Sequence, residues 1–394
     1  MKKHVKRSEV NMKKNNPNRF TLLGLFLACV FFLFGALFFS SRDAAYQSVL
    51  VQTPPAQLPA AATSESPFKK QKPESIRALY ATMNTAGNQE RLDRLLATAK
   101  RANANALVVD VKGSGGELIF DLLDAKKLTR KLHGQGIYVL ARIVVFQDSG
   151  MAKTNPEAMV KNKNGLPGQG GIWRDRRGFA WIDPAGTEAW KHVFGVAKRA
   201  IDAGFDEINY DYVRFPSDGN MAQAAYPFWD EKTPRHEIMR SFFAESQRVL
   251  KEYDSDIVLS IDIFGYTFLK NDDLGIGQRV GDALEYFDGV YPMLYPSHYL
   301  PGNFGFSNPA EHPYEVVKGT LEKGLASLGD KAEGAKPKIR PWLQVFDLGA
   351  VYTPAFIRAQ TQATADALAP SSTSWLMWDP KNEYVGVRDQ NRID

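Results

Sequence analysis

From residue 76 onward the sequence predicts an α/β protein of the (β/α)8 class, a TIM barrel, and three observations carry that expectation. Eight short runs rich in β-branched and aromatic residues alternate with seven longer amphipathic stretches, the order of parallel βαβ units. Glycines and prolines stand where such helices begin and end. The first strand is followed by MNTAG, without the glycine fingerprint that a doubly wound open sheet would carry there.

The strands are expected at 76–82, 106–112, 137–146, 207–215, 257–264, 289–295, 339–347 and 374–379. Helices are expected between them at 89–102, 124–135, 187–203, 234–253, 277–287, 313–328 and 354–368. Gly134 and Gly136 close the second helix and Gly204 the third, while Pro234 and Pro354 open the fourth and seventh. The KGSGGE stretch after strand two lacks the spacing and the Lys then Ser/Thr pair of a phosphate cradle, and reads as a turn.

Composition excludes other classes. The chain is 44% hydrophobic and 24% charged, well outside the disordered regime, and its single cysteine rules out a disulfide framework or a cysteine zinc ribbon. The formal charge of +5 resides in the first 19 residues, where seven lysines and arginines face only Glu9. The remainder is close to neutral and offers no footprint for nucleic acid.

That basic tail (1–19) precedes FTLLGLFLACVFFLFGALFF (20–39), an uncharged stretch that as a helix reaches ~30 Å, the thickness of a bilayer core. The positive-inside rule keeps the tail cytoplasmic and exports the rest of the chain. A single-pass transmembrane anchor is therefore expected, then a Pro, Ala and Ser rich linker (40–73) and the barrel (74–394). A cleaved signal peptide, or a lipoprotein signal at Cys29, is the alternative; the stretch is long for the first, and apolar sequence continues well past Cys29.

In a parallel barrel the chemistry sits at the carboxyl ends of the strands, and residues two apart face the same way. Strand two carries Asp110 and Lys112 on one side, and Arg142 interrupts strand three. Strand four, EINYDYVRFP, sets Glu207, Asn209 and Asp211 on one face with Arg214 at its exit, and strand five adds Ser260 and Asp262. The last strands end near Tyr295 and His298, at Gln344, and at Trp378, so an acidic and aromatic mouth is expected. The aromatic faces expected there, Tyr210, Tyr212, Phe264, Tyr266, Tyr291, Tyr295, Tyr299, Trp342, Trp375 and Trp378, suit sugar rings, although about half of these rings should belong to the core.

Paired carboxylates serve glycoside hydrolysis, one protonated at the leaving oxygen and one ionised on the other face of the sugar. Asp211 and Asp262, on neighbouring strands, are the candidate catalytic pair. Asp110, Lys112, Arg142, Asn209, Arg214, Tyr295, His298, Gln344 and Trp378 are the candidate substrate-binding residues. The competing reading is a structural ion pair of either aspartate with Arg142 or Arg214. There is no Gly-x-Ser-x-Gly elbow and no His-x-x-x-His pair, and no metal or cofactor is expected. His133, His192 and His236 fall on helices and read as solvated.

The wording of several segments, above all GFDEINYDYVRFPS (204–217), with YVLARIVVF (138–146) and WIDP (181–184), resembles the DUF4015 family of glycoside-hydrolase-like domains. The resemblance spans nearly all of residues 76–390. It implies a barrel distantly akin to the α-amylase-like hydrolases, with Asp211 in the nucleophile's place and Asp262 as its partner. Two departures stand out. Asp262 occupies a position where the α-amylase-like pattern has Glu, and Asn209 stands two residues before Asp211 where that pattern has Arg. Together these readings predict a membrane-anchored glycosidase acting on cell-envelope or exported polysaccharide. The alternative is a barrel that binds glycan without cleaving it, an envelope scaffold.

Overall fold

The computed structural model describes residues 72–118, 121–165, 171–270 and 272–388. The expected tail, membrane span and linker up to residue 71 lie outside the described residues. Among the described residues no helix is long and apolar enough to cross a membrane.

Eight parallel strands close into a barrel: β1 (Arg77–Ala81), β2 (Ala106–Lys112), β3 (Tyr138–Val144), β4 (Glu207–Asp211), β5 (Val258–Phe264), β6 (Gly289–Leu294), β7 (Trp342–Gln344) and β8 (Trp375–Trp378). Each pairs with its neighbours in chain order, and β8 pairs with β1 to close the ring. The principal helices alternate with the strands: α1 (Gln89–Arg101), α2 (Leu122–Gly134), α3 (Thr187–Asp202), α4 (Arg235–Tyr253), α5 (Val280–Tyr286), α6 (Pro313–Leu328) and α7 (Pro354–Leu368). The predicted strands four and seven are longer than the paired segments, because the chain turns out of the sheet after Asp211 and Gln344 to build the mouth.

Strand alternation sorts the core into two layers. Ala78, Tyr80, Ala106, Val108, Tyr138 and Leu140 pack inside the ring with Tyr291, Trp342 and Leu376. The intervening Leu79, Leu107, Val109, Val139, Ala141, Ile208 and Ile261 pack outward against helix residues such as Leu92, Leu95, Val193 and Phe242. Tyr210 belongs to this outer layer, its ring 5.8 Å from that of Phe242, and is core rather than mouth. Helix ends obey local chemistry. Asn88 and Thr353 cap α1 and α7 through their side chains, and Gly136 and Gly204 supply positive φ just after α2 and α3. His133 on α2 is not solvated as its position suggested; its Nε2 lies 2.9 Å from Asp206.

The amino end of the barrel is plugged by a buried network. Glu207, the first residue of β4, pairs with Arg340 at 3.3 Å and accepts hydrogen bonds from Tyr138 and Tyr291, while Arg340 also donates to the Tyr291 hydroxyl. Glu207 and Tyr291 are thus removed from the mouth that the strand pattern suggested, because they sit at the starts of their strands. Removing one partner of a buried ion pair strands the other charge and costs about 3–5 kcal/mol. Arg340→Ala is expected to lower the urea unfolding midpoint accordingly, and Glu207→Gln combined with Arg340→Met to recover most of the loss. An unchanged midpoint in the single variant would show that this network does not stabilise the barrel.

Candidate active site

The opposite end gathers the polar residues that interrupt the inward rows. Register places Asp110 on β2 beside Arg142 on β3, and Arg142 beside Asn209 on β4. The buried Arg142 therefore reaches both ways: Nη1 donates to Asp110 Oδ1 at 2.5 Å, and Nη2 and Nε donate to Asp211 Oδ2 at 2.5 and 3.2 Å. Tyr80 donates to the other Asp110 oxygen at 2.5 Å. Trp378 stacks on Tyr80 with ring centres 3.9 Å apart, and the Arg142 guanidinium lies 5.2 Å from the Trp378 ring. Arg142 thus brings a cation to Asp211 from the neighbouring strand.

Asp211 ends β4 and is 7% exposed. Its Oδ1 accepts the amide of Tyr212 at 2.6 Å, and Tyr212 has φ of 52°. A non-glycine residue in the left-handed region is strained, and strain of this kind gathers at functional sites.

Asp262, in β5, is 1% exposed and has no cation of its own. Its Oδ1 accepts from Asn209 Nδ2 at 3.0 Å and from Trp342 Nε1 at 2.8 Å, and among the described residues nothing donates to Oδ2. Burial first, and the charge of Asp211 second, push its carboxyl well above the ordinary range. Burial also raises Asp110, against the pull of Arg142 and the Tyr80 hydrogen bond. The mouth thus holds two aspartates tied to one guanidinium and a third tied only to neutral donors.

The remaining predicted residues take varied places. Asn209 bridges Ser260 and Asp262 through Nδ2, and its buried Oδ1 has no partner. Tyr295 is buried, its hydroxyl pushed well above the ordinary range by burial and by Asp262 and Asp211. His298 packs edge-on to Tyr295 with ring centres 5.2 Å apart, and burial lowers its imidazole to about 4. Gln344 accepts from Ser297 and donates to the Phe346 carbonyl, so it fixes the loop after β6. Lys112 does not extend the Asp110 side of β2. A register shift intervenes, and its buried amine binds Asp148 at 2.9 Å and the Val144 carbonyl at 2.7 Å. Arg214 makes no ion pair with Asp211; it bonds the Phe215 carbonyl and Ser217.

Asp183, in the WIDP stretch, is saturated by the amides of Ala185, Phe228 and Trp229 and ties two loops together. Sequence reasoning missed Tyr80, which holds Asp110, and placed Trp342 among the mouth aromatics without foreseeing its bond to Asp262. Both are ordinary aromatic strand residues, and only the closure of the ring brings their polar tips to the carboxylates.

In a closed parallel barrel the carboxyl ends of the strands, where these aspartates, the arginine and the aromatics gather, are where active sites are built. The chain belongs to the DUF4015 family, described as "Putative glycosyl hydrolase domain", whose model matches residues 78–384. Among solved structures it is similar to a hypothetical protein from Ruminiclostridium thermocellum, at 30% identity and a TM-score of 0.40 over 50% of this chain and 98% of that one. It is also similar to α-L-fucosidase isoenzyme 2 from Paenibacillus thiaminolyticus, at 13% identity and a TM-score of 0.50. That alignment covers 80% of this chain and 48% of the fucosidase. A third similarity is to TtGalA, an α-galactosidase from Thermus thermophilus, at 13% identity and a TM-score of 0.46 over 79% of this chain and 63% of that one. No curated protein matches the chain.

Asp262 holds its proton more tightly folded than unfolded, so the folded state binds the extra proton as pH rises above the unfolded value. Stability should therefore decline from about pH 4 toward the raised folded value, and Asp262→Asn should lessen that decline, the other raised aspartates such as Asp110 keeping the rest. Urea midpoints across this pH range measure it, and parallel profiles for the two proteins would refute the assignment.

Proposed function

We propose that this chain is a glycoside hydrolase in which Asp211 is the ionised nucleophile or base and Asp262 the general acid. One observation carries the reading: adjacent carboxylates on β4 and β5 sit in opposite environments, Arg142 beside the first, and burial with only neutral donors around the second. Such a split is how two carboxyl groups divide acid and base work. Asp110 and Arg142 orient the site: the arginine pairs with Asp211, and Asp110 fixes the arginine.

The substrate is a cell-envelope or exported polysaccharide. Its location is argued from residues 20–39, which have the length and charge asymmetry of an anchor that leaves the barrel outside the cytoplasmic membrane. A reporter fused after residue 394 is expected to be active only when exported; activity confined to the cytoplasm would defeat this topology.

The 1% exposure of Asp262 favours a second reading, a barrel that binds glycan without cleaving it. Incubating the full-length protein with a panel of envelope polysaccharides and assaying new reducing ends separates the two. Asp211→Asn should cut turnover by several orders of magnitude without unfolding the barrel. Asp262→Asn should cost about 10²–10⁴-fold, most on substrates with poor leaving groups. Glycan binding with no turnover in the wild-type protein would establish the second reading.

A further inference from the structure

One cation at the mouth is not used by the carboxylate pair. Arg214 is 7% exposed, and its guanidinium lies 4.8 Å from the ring centres of Trp181 and Phe264 and 5.3 Å from that of Tyr212. Nη1 donates to the Phe215 carbonyl at 3.0 Å and to the Ser217 hydroxyl at 3.2 Å. Nε and Nη2 donate to nothing among the described residues. These two nitrogens form one edge of the guanidinium, the edge that presents two parallel N–H groups to a carboxylate.

Keeping a guanidinium this buried without an ion pair is costly, and burial lowers its hold on the proton. Asp218, Asp211 and Asp175 act on Arg214 only from beyond ion-pair distance. Asp175 is occupied by Gln147, Trp181 and the Phe179 amide, and Asp218 is driven toward its neutral form by burial and by the charge of Asp175. Asp211 is taken by Arg142. A second guanidinium stands close by: the exposed Arg177 stacks 5.4 Å from Phe179, and with Arg214 it acts on the Tyr212 hydroxyl, one residue from Asp211. Among the described residues Arg177 makes no ion pair either.

We infer that Arg214, with Arg177 beside it, is a subsite for a carboxylate carried by the sugar, so that the substrate is an acidic, uronate-containing polysaccharide. The inference rests on the glycosidase reading for where the sugar lies, next to Asp211. The rings of Trp181, Tyr212 and Phe264 surround the guanidinium at 4.8–5.3 Å and fix its position before any ligand arrives, which is what two-point recognition of a planar anion requires.

The test is titration calorimetry on the full-length protein in detergent, carrying Asp211→Asn to stop turnover. The probes are short oligomers of galacturonate, glucuronate and mannuronate, and the same oligomers with each carboxyl reduced to the alcohol. At least one acidic oligomer should bind about tenfold or more tighter than its reduced form, the loss expected when a charge-assisted pair is removed. Arg214→Gln should erase that preference, so that acidic and reduced oligomers bind alike, and Arg214→Lys should retain part of it. If Arg214→Gln does not fold, the acidic preference of the parent protein and its reduction by Arg177→Gln, at an exposed side chain, decide the matter. Equal affinity for acidic and reduced oligomers, failure of every uronate to bind, or binding of sulfated oligosaccharides in place of uronates would overturn the inference. Uronate binding that depends on Arg214, without reducing ends from the wild-type chain, would remove the hydrolase reading and leave the carboxylate subsite standing.

Discussion

The mouth of this barrel depends on one buried guanidinium. Arg142 joins β2, β3 and β4 by donating to Asp110 on one side and Asp211 on the other, and it can do so only because the strand register sets the three positions in one row. Burying such a charge is repaid only when its donors are matched with good geometry. Tyr80 and Trp378 complete the setting, the first holding Asp110 and the second lying against the arginine. With Arg142 committed in this way, Asp262 on the next strand is left with neutral donors and the charge of Asp211 for company.

The two ends of the barrel solve different problems with similar residues. At the amino end Glu207 is closed on Arg340, Tyr138 and Tyr291, a network whose effect is on stability. At the carboxyl end the chain leaves the sheet early, through the strained Tyr212, and Asn209 in β4 and Arg214 in the loop after it keep polar atoms not fully matched among the described residues. Unmatched polar groups at a strand exit are where a polar ligand gains most, because it supplies the missing partners.

The barrel itself was legible in the sequence, since eight strand runs and seven helices each arise from local periodicity and from glycine and proline at their ends. Asp110, Arg142, Asn209, Asp211 and Asp262 could be placed on the inward rows because alternation along a strand is local information. How far along the barrel axis each one sits was not legible. Glu207 and Asp211 share a face, yet they serve opposite ends, and only the pairing of whole strands decides which is which. Lys112 was misplaced for a related reason: the shift in register after Asp110 breaks the two-residue rule on which its position was argued. Tyr80 carried no signal, and Trp342 could be placed at the mouth but not tied to Asp262, because an aromatic on a strand looks the same whether it fills the lumen or holds a carboxylate.

The most direct test of this division of roles is an NMR titration of the Asp262 carboxyl carbon in protein labelled at aspartate. If Arg142 divides the two carboxylates as described, this carbon should titrate well above the ordinary value of about 3.9, with Asp262 still protonated in weakly acidic solution. A midpoint near the ordinary value, leaving Asp262 ionised alongside Asp211, would contradict the division on which the mouth is built.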